Sequence, residues 1–71
     1  MAMRWVCVFE GRAGGRARAV FGSSDQARLF AERHARATLP GGVPLAWEHT
    51  SDASVLATAL GVYFVAPADD D

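Results

Sequence analysis

Only one segment of this sequence has the periodicity of an α-helix, and it lies between segments that are typical of β-strands. Ser23 and Gln26 match a capping box, in which two side chains satisfy free N–H groups of the first turn. The helix is expected to end near Ala37 or Thr38, because a Pro-Gly-Gly sequence follows soon after. A single helix can cover only one face of a sheet, which limits the folds open to the chain. At 100° per residue, the stripe expected to face the sheet contains Ala27, Phe30, Ala31, His34 and Thr38.

The other sides of this helix are polar, with one exception. Arg28, Glu32 and Arg36 are spaced four residues apart, so they are expected to form a ladder of opposite charges. Leu29 lies nearly opposite the apolar stripe and is expected to be exposed. An exposed leucine among charged residues suggests a second contact surface on the helix.

The residues before the helix predict a β-hairpin. Residues 3–9 are rich in aromatic and β-branched side chains and are apolar on both faces, so this strand is expected to be central and covered on both sides. A glycine-rich connection follows at residues 11–15. Residues 16–21 then alternate, with Arg16 and Arg18 on one face and apolar side chains on the other.

The residues after the helix predict three further strands. They are expected at residues 43–50, 54–59 and 62–66, with Pro67 ending the last of them. The fold class is therefore α+β, in the order β-β-α-β-β-β, with one helix on a mainly antiparallel sheet. Residues 1–67 are expected to form a single domain, and residues 68–71 a disordered acidic tail.

Apolar side chains on both faces of the predicted sheet indicate self-association. A chain of 71 residues buries only about 60% of its unfolded surface, and its one helix leaves one sheet face without a cover. A symmetric contact with a second copy would cover that face, so a homodimer is expected. A sheet that curls over itself is the alternative. The expected interface contains Trp5, Val6, Val8, Trp47, Tyr63 and Val65 on the sheet and Leu29 on the helix.

The sequence offers little for catalysis, metals or cofactors. Cys7 lies between two valines and is interpreted as a buried core residue, not as a nucleophile. His34 and His49 are interpreted as structural, and with Glu10 they do not have the spacing of a metal site. The glycine-rich connection lacks the pattern of a phosphate-binding loop and precedes a strand where a helix is required. We therefore expect no catalytic residue, no metal and no cofactor.

Clustered arginines are the strongest functional signal in the sequence. Arg4, Arg12, Arg16 and Arg18 are expected on or beside the hairpin, where guanidinium groups could bind phosphates or carboxylates. The formal net charge of −1 argues against a general affinity for nucleic acid. Three interpretations remain open: a solvated face that protects the sheet edge, a nucleic-acid-binding surface, or a surface for an acidic protein.

These observations favour a small non-catalytic interaction or regulatory module. We expect a homodimer that also binds an unidentified protein, with a nucleic-acid-binding module as the alternative. The chain has no recognisable targeting signal or spanning segment, so no membrane partner is expected. A single free cysteine is consistent with the reducing cytoplasm.

Overall fold

The structure is a computed structural model that describes residues 4–39, 41–42, 44–50 and 52–68. Within these residues, five strands and one helix follow the predicted order and form one compact α+β domain. The strands are β1 (Arg4–Gly11), β2 (Arg16–Phe21), β3 (Trp47–His49), β4 (Ser54–Ala57) and β5 (Gly61–Ala68), and the helix is α1 (Ser24–Thr38).

The five strands form one antiparallel sheet in the order β2-β1-β5-β4-β3. β5 is the middle strand and pairs with β1 on one side and with β4 on the other. The β1–β2 hairpin and the β3–β4 hairpin do not pair with each other, so β5 is the element that joins them. β2 and β3 are the edge strands.

The predicted start and end of the helix are confirmed. Ser23 Oγ accepts a hydrogen bond of 3.1 Å from the backbone N–H of Gln26. Gln26 Oε1 accepts in turn from the N–H of Gly22, one residue before the donor of a standard capping box. At the other end, the N–H of Leu39 donates to the carbonyl of Ala35 at 2.9 Å. These bonds satisfy backbone groups that the helix itself leaves free.

The core lies between α1 and one face of the sheet. Ala27, Ala31 and Ala35 are fully buried, and their small side chains allow the helix backbone to lie close to the strands. The predicted stripe is therefore correct for Ala27 and Ala31, but His34 and Thr38 are exposed, and Ala35 is buried in their stead. The buried sheet residues of this core are Cys7, Leu56, Tyr63 and Val65.

Two members of the expected charge ladder along α1 make other contacts. Arg28 pairs with Asp25, one turn earlier. The carboxylate of Glu32 accepts a hydrogen bond of 2.8 Å from Trp47 Nε1. This bond ties β3 to the helix, so Glu32 takes part in tertiary structure that helical spacing alone does not predict.

The strands after the helix differ in length from the prediction. β3 contains only three residues, and the expected start of this strand at Val43 lies outside the described residues. β4 ends at Ala57 because Thr58 begins a turn in which its N–H donates to the carbonyl of Gly61. β5 continues through Pro67, opposite Trp5. Beyond Val65, β5 pairs only with β1 and is unpaired on its β4 side. Pro67 has no N–H to donate, and this is tolerated on the unpaired side. Residues 69–71 lie outside the described residues.

Two glycines allow β1 and β5 to approach closely at one end of their pairing. Gly61 pairs with Gly11, and a Cβ atom on Gly61 would lie 2.2 Å from the carbonyl oxygen of Glu10. The φ angle of Gly61 is +153°, which also disfavours other residues. Beside this pair, the N–H of Arg12 donates to the carbonyl of Leu60 at 2.9 Å. The hairpin loop and the β4–β5 turn are thereby held together.

Candidate interaction surfaces

The face of the sheet opposite α1, called here the outer face, is apolar in its centre. No described residue covers it with a second layer of structure. Val20 is 44% exposed and Phe64 is 38% exposed, which are high values for large apolar side chains. Most other apolar side chains of the outer face are half-buried, among them Val6, Val8, Val55, Val62 and Ala66.

One row of paired residues crosses the whole outer face. Because the register is antiparallel throughout, residues paired across neighbouring strands lie side by side on the same face. The row has an acidic residue at one edge, three apolar residues in the middle and a basic residue at the other edge. From β3 to β2 its members are Glu48, Val55, Phe64, Val8 and Arg18.

The expected interface set mixes residues of both sheet faces. Tyr63 and Val65 are fully buried beneath α1, so they cannot contact a partner on the outer face. Trp5 and Trp47 are half-buried and pack against the same core. Val6 and Val8 do lie on the outer face, and β1 is covered by the helix on only one side, not on both as expected.

The four candidate arginines do not form one cluster. Arg16 and Arg18 lie on the outer face of β2, and Arg16 forms an exposed ion pair of 2.8 Å with Glu10. Arg4 is at the other end of β1, six residues from Glu10, or about 20 Å along the strand. Arg12 is in the hairpin loop. Arg4 therefore lies outside the cluster of arginines that the sequence predicts.

A second surface is the groove between α1 and β2, called here the edge groove. It has a volume of about 530 Å³ and is open to solvent. Leu29, which the sequence predicts to be exposed, is 47% exposed and lines this groove. The residues that line the edge groove are Phe21, Gln26, Leu29, Phe30, Arg33 and His34.

His34, which lines the edge groove, belongs to an aromatic cluster that extends into the core. His34 Nδ1 and the hydroxyl of Tyr63 share a hydrogen bond of 2.6 Å. The ring of His34 also lies 5.0 Å from that of Phe9. Burial raises the pKa of Tyr63, and the nearby Cys7 adds to this effect. The second histidine, His49, shares a hydrogen bond with Ser54 Oγ. Both histidines thus have structural partners.

Cys7 lies in the core and has the properties of a structural residue. It is fully buried, and burial raises the pKa of its thiol to about 11. A thiol with this pKa is protonated at neutral pH and is a poor nucleophile. In the described part of the chain, no three histidine, cysteine or acidic side chains come together as metal ligands would.

We expect Cys7 to be unreactive toward a thiol reagent in the folded protein and to react on unfolding. Its pKa exceeds the ordinary value of 9.0, so between about pH 9 and pH 11 the unfolded chain loses a proton that the folded chain keeps. The free energy of unfolding therefore falls over this range. Denaturation at pH 7, 9 and 11 measures the fall, and it should be smaller in Cys7→Ala. Fast labelling of the native thiol would contradict the prediction.

The fold places this chain in the class of small α+β domains, and comparisons with known proteins add nothing more specific. No protein-family model, curated protein or solved structure matches this chain. Among the described residues, α1 is too short and too polar to cross a membrane.

Proposed function

We propose that this chain is a non-catalytic interaction module that forms a homodimer through the outer face. The row from Glu48 to Arg18 is the observation that carries the proposal, because its two halves are complementary. Its middle residue, Phe64, is on the middle strand of the sheet. A second copy placed over this face would bury the exposed apolar side chains and pair the charged ends.

The position of the charges favours one arrangement of the two copies. Two sheets that pack face to face through a two-fold axis have that axis in the plane between them. If the axis runs along β5, the β2 edge of one copy lies over the β3 edge of the other. Phe64 then meets the partner's Phe64, Val8 meets the partner's Val55, and Arg18 meets the partner's Glu48.

An axis perpendicular to the strands is less favourable. It would place each edge strand over the same edge of the other copy, so Arg18 would face a second arginine and Glu48 a second glutamate. Like charges opposite each other at an interface are destabilising. The charges on the outer face therefore favour the axis along β5.

A nucleic-acid-binding hairpin is the competing function, and the geometry supports it less well. Arg16 is already paired with Glu10, and Arg4 is about 20 Å away from them along β1. A phosphate backbone would meet two arginines beside an exposed apolar surface. This arrangement is more typical of protein interfaces, where apolar residues form the centre and charged residues the rim.

Phe64→Asp is expected to abolish the dimer. The change would place two carboxylates against each other at the centre of the interface, and we expect it to weaken association by at least about tenfold. Leu29→Asp is the matched control, because Leu29 is similarly exposed, at 47% against 38%, but lies on α1. Light scattering or sedimentation between about 1 and 100 μM measures the mass. A wild-type chain that is monomeric at about 100 μM would show that the proposal is wrong.

Charge reversal is the second part of this test, and it tests the direction of the two-fold axis. Arg18→Glu should weaken the dimer, because each copy would then present a glutamate to the partner's Glu48. Adding Glu48→Arg to the same chain restores both pairs, so the double variant should associate nearly as well as the wild type. Both residues are exposed, so the folded state should tolerate the changes. An Arg18→Glu variant that associates as well as the wild type, or a double variant no stronger than Arg18→Glu alone, would exclude this axis.

A further inference from the structure

The edge of β2 offers free backbone groups beside the edge groove. β2 pairs only with β1, so N–H and C=O groups along its other side have no strand to bind. On the side facing α1, Ala17 and Ala19 present only methyl groups between Phe21 and the hairpin loop. A strand added at this edge would therefore have space for its side chains between β2 and the helix.

The helix and an added strand would match in direction and spacing. Phe21 contacts Phe30, with ring centroids 5.2 Å apart, whereas Phe9, which pairs with Ala17, contacts His34. α1 therefore runs opposite to β2, and a strand added antiparallel to β2 runs in the direction of α1. Leu29 and Arg33 are one helical step of four residues apart, or about 6 Å. Side chains on one face of a strand recur at a similar spacing, about 6.7 Å.

The charge around this edge is positive. Arg33 lines the edge groove. On the opposite side of β2, Arg18 is exposed, whereas Arg16 is paired with Glu10. Among the described residues that line the groove, none is acidic. Arg33 is exposed on α1, one helical step beyond Leu29, so its guanidinium can bind a carboxylate on an added strand.

A second copy of this chain does not fit the same edge. Two β2 strands paired antiparallel would bring Arg16 and Arg18 of each copy together on one face. Like charges directly opposite each other on neighbouring strands are destabilising. The arginines therefore favour an acidic strand over self-pairing at this edge.

We propose that the edge groove binds an extended segment of a partner protein, added antiparallel to β2. The segment carries an apolar residue that packs against Leu29 and Phe30 and, two positions later, an acidic residue that pairs with Arg33. The inference rests on the proposed role as an interaction module, but it does not require the dimer, because the outer face and the edge groove are separate surfaces.

The test uses a labelled seven-residue peptide with leucine at position 3, glutamate at position 5 and threonine elsewhere. Fluorescence anisotropy should show saturable binding with a dissociation constant below about 1 mM. Leu29→Asp and Arg33→Glu should each weaken binding at least about tenfold. Arg33→Glu should also reverse the preference, so that a peptide with lysine at position 5 binds better than the glutamate peptide. A loss of folding could not produce this reversal.

Two further arms separate strand addition from other modes of binding. N-methylation of the peptide at alternate residues blocks hydrogen bonds on one side, so either the odd or the even set should abolish binding. Phe64→Asp should bind the peptide within about twofold of the wild type, whether or not the wild type is a dimer. Three results would each overturn the proposal. The first is the absence of saturable binding up to about 1 mM. The others are equal binding of the two methylated peptides, and equal binding of the glutamate and lysine peptides to both the wild type and Arg33→Glu.

Discussion

Gly61→Ala is expected to lower the free energy of unfolding by about 3 kcal/mol or more. A Cβ atom at this position would lie 2.2 Å from the carbonyl oxygen of Glu10 and 2.7 Å from the Cα of Gly11. Both atoms belong to the backbone of β1, so no side chain can move aside. To relieve this clash, β1 and β5 must separate at one end of their paired stretch. The separation would also break the hydrogen bond from the N–H of Arg12 to the carbonyl of Leu60.

Chemical denaturation followed by circular dichroism measures this loss. Gly15→Ala is the matched control, because a Cβ atom there would meet nothing within 4 Å and the φ angle is not positive. This control should change stability by less than about 1 kcal/mol. If Gly61→Ala unfolds at the same denaturant concentration as Gly15→Ala, the close approach of β1 and β5 is wrong.

Ala31→Leu is the second change with a large expected effect. Ala31 is fully buried in the middle of the three alanines that face the sheet, so a larger side chain must push α1 away from it. Overpacking of this kind costs about 1–3 kcal/mol. Displacement of the helix should also strain the hydrogen bond between Glu32 and Trp47, which joins α1 to β3.

Ala37→Leu on the exposed side of the same helix is the control. Alanine and leucine have similar helix propensities, so its stability should change by only about 0.2 kcal/mol. Thermal unfolding of both variants measures the difference, and the tryptophan fluorescence of Ala31→Leu should shift as Trp47 loses Glu32. A stable Ala31→Leu with wild-type fluorescence would contradict the close packing of helix and sheet.

Local patterns in the sequence predict the local structure of this chain well. The bounds of β2 and the cap at Ser23 follow directly from alternation and from capping chemistry. The order of the elements and the α+β class are confirmed as well. Each of these features depends on residues that are near each other in the sequence.

The features that the sequence does not predict depend on contacts between distant residues. Pro67 continues β5 because only β1 pairs with that part of the strand, and neighbouring strands cannot be assigned from periodicity. Glu32 accepts a hydrogen bond from Trp47, which is 15 residues away. His34 is exposed beside the buried alanines, and its ring contacts Phe9 and Tyr63, which are distant in the sequence.

The candidate surfaces also combine features that local patterns predict with features that depend on contacts between distant residues. Alternation separates Tyr63 from Phe64 but cannot tell which of them faces the helix, since both sides of β5 are apolar. The structure places Tyr63 in the core and Phe64 on the outer face. Leu29 is correctly predicted to be exposed, because its position relative to the apolar stripe is a local property. Its location beside β2 depends on how the helix crosses the sheet.

The central position of β5 has a consequence for the order in which this protein can fold as it is synthesised. The ribosome makes β1, β2, α1, β3 and β4 before β5, and until then the two hairpins have no strand between them. Two strands alone are marginally stable in water, so the β3–β4 hairpin has little stability before β5 is made, whereas the β1–β2 hairpin already packs on α1. Completion of the sheet therefore waits for β5 and for its pairing with β1, which joins distant parts of the chain, and long-range pairings of this kind slow folding. During that interval the edges of β1 and β4 are exposed to aggregation.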